Sequence, residues 1–329
     1  MDAEALVGRL LVVGLPGPLL TSEVATHLRS LQAGGLIAFE RNYHSPSQFR
    51  KLLDDVANAL GYCPLVMVDH EGGRVTRFRT GVTQFPDALS IGASQQAAQL
   101  YQQGTIEAHE LRALGVHVNL APCVDVLVGG SDPVIGTRSY GSDPHQVATF
   151  ATQRIRGLQA HGVAACAKHF PGLGAVPKDP HRELPTVTLD WPSMREIHLR
   201  PFTAAIGAGV ATIMSSHVCY PELEATDVPA TFSARLIRQL LREELGFDGV
   251  ALTDDMEMGA LRRLGSLGEA MVKAVDVGHD MVLVCSHVEA QRQAAQALAQ
   301  AVGEGRLPEA RLAEAIGRVD RLRQRFRVP

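Results

Sequence analysis

Residues 168–174 read Lys-His-Phe-Pro-Gly-Leu-Gly, and Asp179-Pro180-His181 follows closely. The stretch gathers an ammonium, two imidazoles, a carboxylate and two glycines just after an apolar run at 162–167. Each polar group placed in a core strand would need a buried partner, so the pattern predicts a loop at the mouth of a site. In Asp179-x-His181 the two side chains fall on one side of an extended backbone. A carboxylate accepting one ring N–H fixes the tautomer and steadies the imidazolium, which suits proton transfer near neutral pH. Thr253-Asp254-Asp255-Met256 adds two carboxylates at the end of another apolar run.

Other parts of the chain must position these groups. Apolar strand-like runs lie at 10–15, 35–39, 65–68, 116–121, 163–167, 212–215, 249–253 and 280–284. Amphipathic helical stretches alternate with them, among them 97–114, 144–160, 194–208, 233–245 and 268–277. Short, continuously apolar strands are expected where both faces of a parallel sheet are covered. Eight such units predict an α/β fold, a single (β/α)₈ TIM-type barrel over residues 1–329. A doubly wound open sheet is the rival, but no G-x-G-x-x-G follows the first strand. The barrel also explains why polar clusters recur at strand ends: Asp69 to Arg74, Pro122 to Asp125, Lys168-His169, Ser216-His217 and Asp254-Asp255. Gly72-Gly73 reads as a tight backbone turn. The tail at 308–329 reads as a last helix that closes the barrel.

The bulk properties narrow the class. Of 329 residues 46% are hydrophobic and 20% charged, as in an ordinary globular protein with a full core. A net charge of −4 argues against nucleic acid or an anionic membrane as partner. Five cysteines without a C-x-x-C pair read as free thiols, all but Cys63 in apolar runs, in a reducing cytosol. The N-terminal hydrophobic run carries Asp2 and Glu4 where a secretory leader would be basic, and it is too broken to span a bilayer, so a cytoplasmic location is expected. There is no H-E-x-x-H for a metal and no G-x-S-x-G for a serine nucleophile, so neither metal nor organic cofactor is expected.

Five blocks, VDHEGGRVTRF (68–78), PVIGTRSYG (133–141), KHFPGLG…DPH (168–181), IMSSHV (213–218) and LREELGFDGVALTDDMEM (241–258), are spread over most of the chain. In content and order they resemble family three glycoside hydrolases, specifically the bacterial β-N-acetylhexosaminidases of the NagZ type. The resemblance implies that Asp254 is the nucleophile of a retaining hydrolase and His181 the acid/base, oriented by Asp179. It further implies that Asp69 grips hydroxyls of the terminal sugar, with Arg77, Arg138, Lys168 and His169 as other polar contacts and His217 near the sugar. The implied substrate is a cytoplasmic muropeptide, N-acetylglucosamine on anhydro-N-acetylmuramic acid, and a monomer is expected. Each residue also has a plainer reading. Asp254 or Asp255 could cap a helix, Arg77 and Arg138 could form surface ion pairs, His169 and His181 could be a core and a loop histidine, and Trp191 and Tyr140 could pack rather than stack on sugar. A β-glucosidase, a phosphorylase or a silent sugar-binding barrel remain alternatives. The chain departs from the resembled pattern at His70, Leu173 and Pro180, the last of which restricts Asp179 and predicts a stiffer loop.

Overall fold

The computed structural model describes residues 3–128, 134–174, 184–224, 228–261 and 265–329. Asp179, Pro180 and His181 lie outside the described residues. Eight parallel strands close a barrel: β1 (Leu11–Gly14), β2 (Gly35–Ala38), β3 (Leu65–Val68), β4 (Val118–Asn119), β5 (Ala164–Phe170), β6 (Thr212–Ser215), β7 (Val250–Asp255) and β8 (Met281–Val284). Closure comes from β1 pairing with β8, Leu11 opposite Val282 and Val13 opposite Val284. Helices follow in turn: α1 (Ser22–Leu31), α2 (Pro46–Leu60), α3 (Ala97–Ala113), α4 (Pro144–Ala160), α5 (Leu199–Gly207), α6 (Arg235–Glu244), α7 (Leu267–Asp276), α8 (Val288–Gly303) and α9 (Glu309–Arg325). Among the described residues, no helix is long and apolar enough to cross a membrane.

Local chemistry sets many of these boundaries. Ser45 caps α2 by accepting the Gln48 N–H, and Pro46 sits in the first turn, where its missing N–H costs nothing. Asp143 and Pro144 start α4 in the same way. Two of the expected helices differ in winding. Helix α6 and the turn Met194–His198 before α5 follow the wider π pitch rather than the α pitch that their periodicity suggests.

The barrel interior is filled by Val12, Ile37, Met67, Leu252, Met281 and Leu283, all buried. Helix α9 closes its floor, as the tail pattern predicts. Val319, Leu322 and the following Phe326 belong to that same interior cluster, and each such side chain contributes roughly 1.5–3 kcal/mol by leaving water. Outside the strands, α3 and α4 cross closely. A Cβ on Gly104 would stand 2.6 Å from the Arg154 carbonyl oxygen, and one on Gly157 would stand 2.3 Å from that of Tyr101, so only glycine permits the contact. Between these helices Arg154 is fully buried with Glu107, Nη2 to Oε1 at 2.8 Å. Its remaining donors reach the backbone carbonyls of Glu71 at 2.7 Å and His70 at 3.0 Å. A remote helix thus holds the segment that leaves β3.

Candidate active site

The polar clusters meet at the C-terminal end of the barrel, where a cavity of about 250 Å³ opens. Among the expected residues, Asp69, Arg77, Arg138, Lys168, His169 and Asp254 line it. Glu71, Asp255, Phe39 and Cys285 line it too.

Lys168 and His169 correct the loop expected after residue 167. Both lie in β5, both are buried, and the pairing of β5 with β6 slips between Lys168 and Phe170. A core strand tolerates them because distant residues supply their partners. Lys168 Nζ sits 2.6 Å from Asp69 Oδ1 and 2.7 Å from Glu71 Oε1. His169 Nδ1 donates to Asp125 Oδ2 at 2.7 Å, and Asp125 Oδ1 accepts the Leu173 N–H at 2.6 Å. Arg138 grips Glu71 through two bonds of 2.8 Å and donates to His169 Nε2 at 3.3 Å. Burial would raise the Glu71 pKa, but Arg138 and Lys168 overcome it and hold this carboxyl below its ordinary value. Lys168 is shifted the opposite way. Burial would lower its pKa, and Asp69 with Glu71 raises it above the ordinary lysine value, so the ammonium persists. Arg77 stands 3.7 Å from Asp69 Oδ2.

Asp69 is delivered by β3 and the short antiparallel ribbon His70–Gly72 with Val75–Thr76. Gly72 and Gly73 have φ of 100° and 54°, the left-handed turn expected of them. Asn119 of β4 clamps His70, accepting its N–H at 3.1 Å and donating to its carbonyl at 3.0 Å.

Asp254 comes from the end of β7. Its Oδ1 accepts the Asp255 N–H at 2.8 Å, and no other protein donor to it occurs among the described residues. Burial would raise its pKa. The imidazoles of His169 and His217, the Asp255 N–H and the Lys168 ammonium outweigh burial and leave the carboxyl below its ordinary value. Asp255 behaves oppositely. Burial, together with the negative charges of Glu257 and Asp254, lifts it to about 6, against bonds from the N–H groups of Glu257 and Cys285.

One expected contact takes another place. His217 does not line the cavity, because both ring nitrogens face protein atoms: Nδ1 to Thr231 Oγ1 at 2.6 Å and Nε2 to the Asp255 carbonyl at 3.0 Å. Tyr140 is buried against Phe150, and Trp191 packs under Arg195 and Arg235. All five cysteines are free, and all but Cys63 are buried.

Cys123, Asp125 and His169 place their ligand atoms within 4.8 Å of one another. Burial pushes the Cys123 thiol well up, so it stays protonated and donates to Asp125 at 3.3 Å. The ring N–H and the Leu173 N–H take the carboxylate oxygens. These atoms are arranged to orient His169 rather than to hold an ion.

A barrel with an unspent carboxylate and an ionic clamp at its C-terminal mouth is a familiar glycosidase architecture. The chain belongs to glycosyl hydrolase family 3, whose N terminal domain matches residues 4–322. It is therefore a glycoside hydrolase. The beta-hexosaminidase of Thiobacillus denitrificans is 39% identical over 286 residues, 85% of this chain and 79% of that one. The structure of a family 3 β-N-acetylglucosaminidase from Paenibacillus sp. superposes with a TM-score of 0.97 at 39% identity, covering 100% of this chain but 63% of that longer one. NagZ from Neisseria gonorrhoeae, solved with N-trifluoroacetyl-D-glucosamine, gives a TM-score of 0.78 at 30% identity over 94% of this chain and 98% of that one.

Proposed function

We propose that the protein is a retaining β-N-acetylhexosaminidase that removes terminal, non-reducing β-linked N-acetylglucosamine. The observation that carries this reading is Asp254, a half-buried carboxylate held ionised at the cavity with lone pairs that no protein donor among the described residues takes up. Asp254 attacks the anomeric carbon and forms a covalent glycosyl-enzyme. His181, its second ring N–H held by Asp179, gives a proton to the departing oxygen and later takes one from the attacking water. Asp69, steadied by Lys168 and Arg77, accepts hydrogen bonds from vicinal hydroxyls of the sugar. Arg138 and His169 complete the grip. The cavity is near the small end of ligand sites, which start at roughly 300 Å³, and this suits one terminal ring better than an internal segment of a chain.

Residues 1–329 form one catalytic domain acting as a monomer on a soluble sugar, without metal or organic cofactor. The natural substrate is an anhydro-muropeptide of cell-wall recycling in the cytoplasm, supported by the likeness to the hexosaminidases above.

Incubation with a 2-deoxy-2-fluoro or 5-fluoro glycoside, followed by peptide mass mapping, tests the chemistry. A label on Asp254 is expected, and a label elsewhere overturns the assignment. His181→Ala should slow turnover severely; wild-type rates would remove it from the mechanism. Paired nitrophenyl N-acetylglucosaminide and glucoside assays separate the activity from a β-glucosidase, and turnover with and without phosphate separates hydrolysis from phosphorolysis.

A further inference from the structure

The segment after β6 carries a histidine whose protonation is dictated by the atoms around it. His217 Nε2 lies 3.0 Å from the Asp255 carbonyl oxygen. A carbonyl only accepts, so this nitrogen bears a proton. Nδ1 lies 2.6 Å from Thr231 Oγ1. The Thr231 hydroxyl has a single proton, and the Ser216 carbonyl at 2.9 Å takes it. Thr231 Oγ1 therefore accepts from His217 Nδ1, and the ring carries both protons. A neutral ring would have to draw the Thr231 proton to itself and deprive the buried Ser216 carbonyl of the donor it has here.

The neighbouring hydroxyl offers no escape. Ser215 Oγ is 3.4 Å from Thr231 Oγ1, but its proton goes to His279 Nε2 at 2.8 Å. His279 Nδ1 in turn donates to the Ala274 carbonyl at 2.9 Å, and burial pushes this ring down to about 3, so its Nε2 stays an acceptor. Among the described residues, the titratable groups that feel His217 are Asp254 and the neutral His279, with the Asp255 carboxyl on the residue whose carbonyl accepts from it.

The other groups around Asp254 are shared with partners of their own. Lys168 is shared between Asp69 and Glu71. His169 is held between Asp125 at Nδ1 and Arg138 at Nε2. We propose that His217 is a standing imidazolium and a counter-charge of Asp254: a positioning residue that helps to keep the nucleophile ionised and does not touch the sugar. This rests on the assignment of Asp254 above. Once Asp254 is esterified to the sugar, the imidazolium faces no opposing charge from it and favours release of the carboxylate in the second step.

Nitrogen NMR of the full chain labelled at histidine, with His217→Gln for assignment, reads the charge directly. Both His217 ring nitrogens should remain protonated at about pH 8, well above the ordinary histidine value of about 6.5. In Thr231→Val, which keeps the shape but removes the acceptor, the ring should titrate near neutral pH. In His217→Gln the acid limb of kcat/KM should move up by about one pH unit, because an opposite charge has gone from beside a carboxylate. An unprotonated His217 nitrogen in the wild type at that pH, or an unmoved acid limb in His217→Gln, overturns the proposal. The spectrum needs no substrate, so the two readings fail separately. A neutral ring in an enzyme labelled at Asp254 sinks this inference alone. An imidazolium in an enzyme labelled elsewhere sinks the nucleophile assignment and leaves the charge state standing.

Discussion

Two aspartates on neighbouring strands meet opposite fates. Asp280 stands at the entrance to β8, on the barrel floor. Its Oδ1 takes Arg311 at 2.9 Å and Arg318 at 3.3 Å, and its Oδ2 takes the Ala251 N–H at 2.9 Å and Arg242. Asp254 stands at the exit of β7 and accepts a single N–H among the described residues, that of Asp255. Asp280 is fully buried and Asp254 half-buried, and positive groups surround both, so charge does not distinguish them. Spent lone pairs do. At the floor every acceptor site is consumed and the cluster fastens α9 to the strands. At the mouth acceptor capacity is left over, and chemistry needs such capacity.

The contrast breaks most sharply with Asp254→Asn, which should lower kcat/KM on the order of 10⁴-fold with little change in melting temperature. A loss of less than about tenfold would contradict a nucleophilic role. Lys168→Met leaves Asp69 and Glu71 facing each other without their shared ammonium. It should cost roughly 3–5 kcal/mol in denaturant unfolding and on the order of 10²-fold in kcat/KM, the mixed signature of a charge that serves both fold and site. Asp280→Asn should give the mirror image of the first variant. It strands Arg311 and Arg318, and a similar loss of roughly 3–5 kcal/mol is expected with kcat/KM preserved in the folded fraction. Equal damage to activity would erase the distinction between the two ends.

The mildest effect concerns Asp255. Its folded pKa, about 6, lies above the unfolded value. The native state therefore binds its proton more tightly, and the associated stability is full below about pH 4 and is lost as pH rises through the folded value. Asp255→Asn should consequently gain roughly 2–3 kcal/mol over the wild type near pH 8 and nothing near pH 4. Melting curves at the two pH values check this, and a gain independent of pH would contradict it.

Much of the scaffold was legible from apolar spacing alone. The strands Leu65–Val68 and Thr212–Ser215 and the helix Pro144–Ala160 fall where the pattern puts them, because short apolar runs and an Asp-Pro start are local signals. The extension of β5 through Lys168 and His169 was not legible. Its permission comes from Asp69, Glu71 and Asp125, which are remote in sequence, and a local reading saw only polar groups in need of partners. Glu71 escaped notice for the same reason: beside Asp69 it resembles any charged loop residue until Arg138 and Lys168 converge on it. Arg154 gave no local sign that it supports the segment leaving β3. The proton order around His217 depends on distances between hydroxyls and carbonyls, which spacing along a chain does not encode.

The seam between β1 and β8 has a consequence for how the molecule is made. Leu11 waits for Val282, and the floor waits for Leu322 and Phe326. On the ribosome β1 is thus made with one hydrogen-bonding edge bare, and that edge stays so until residues 282–284 have emerged. Such an edge invites neighbouring nascent chains until its partner strand arrives.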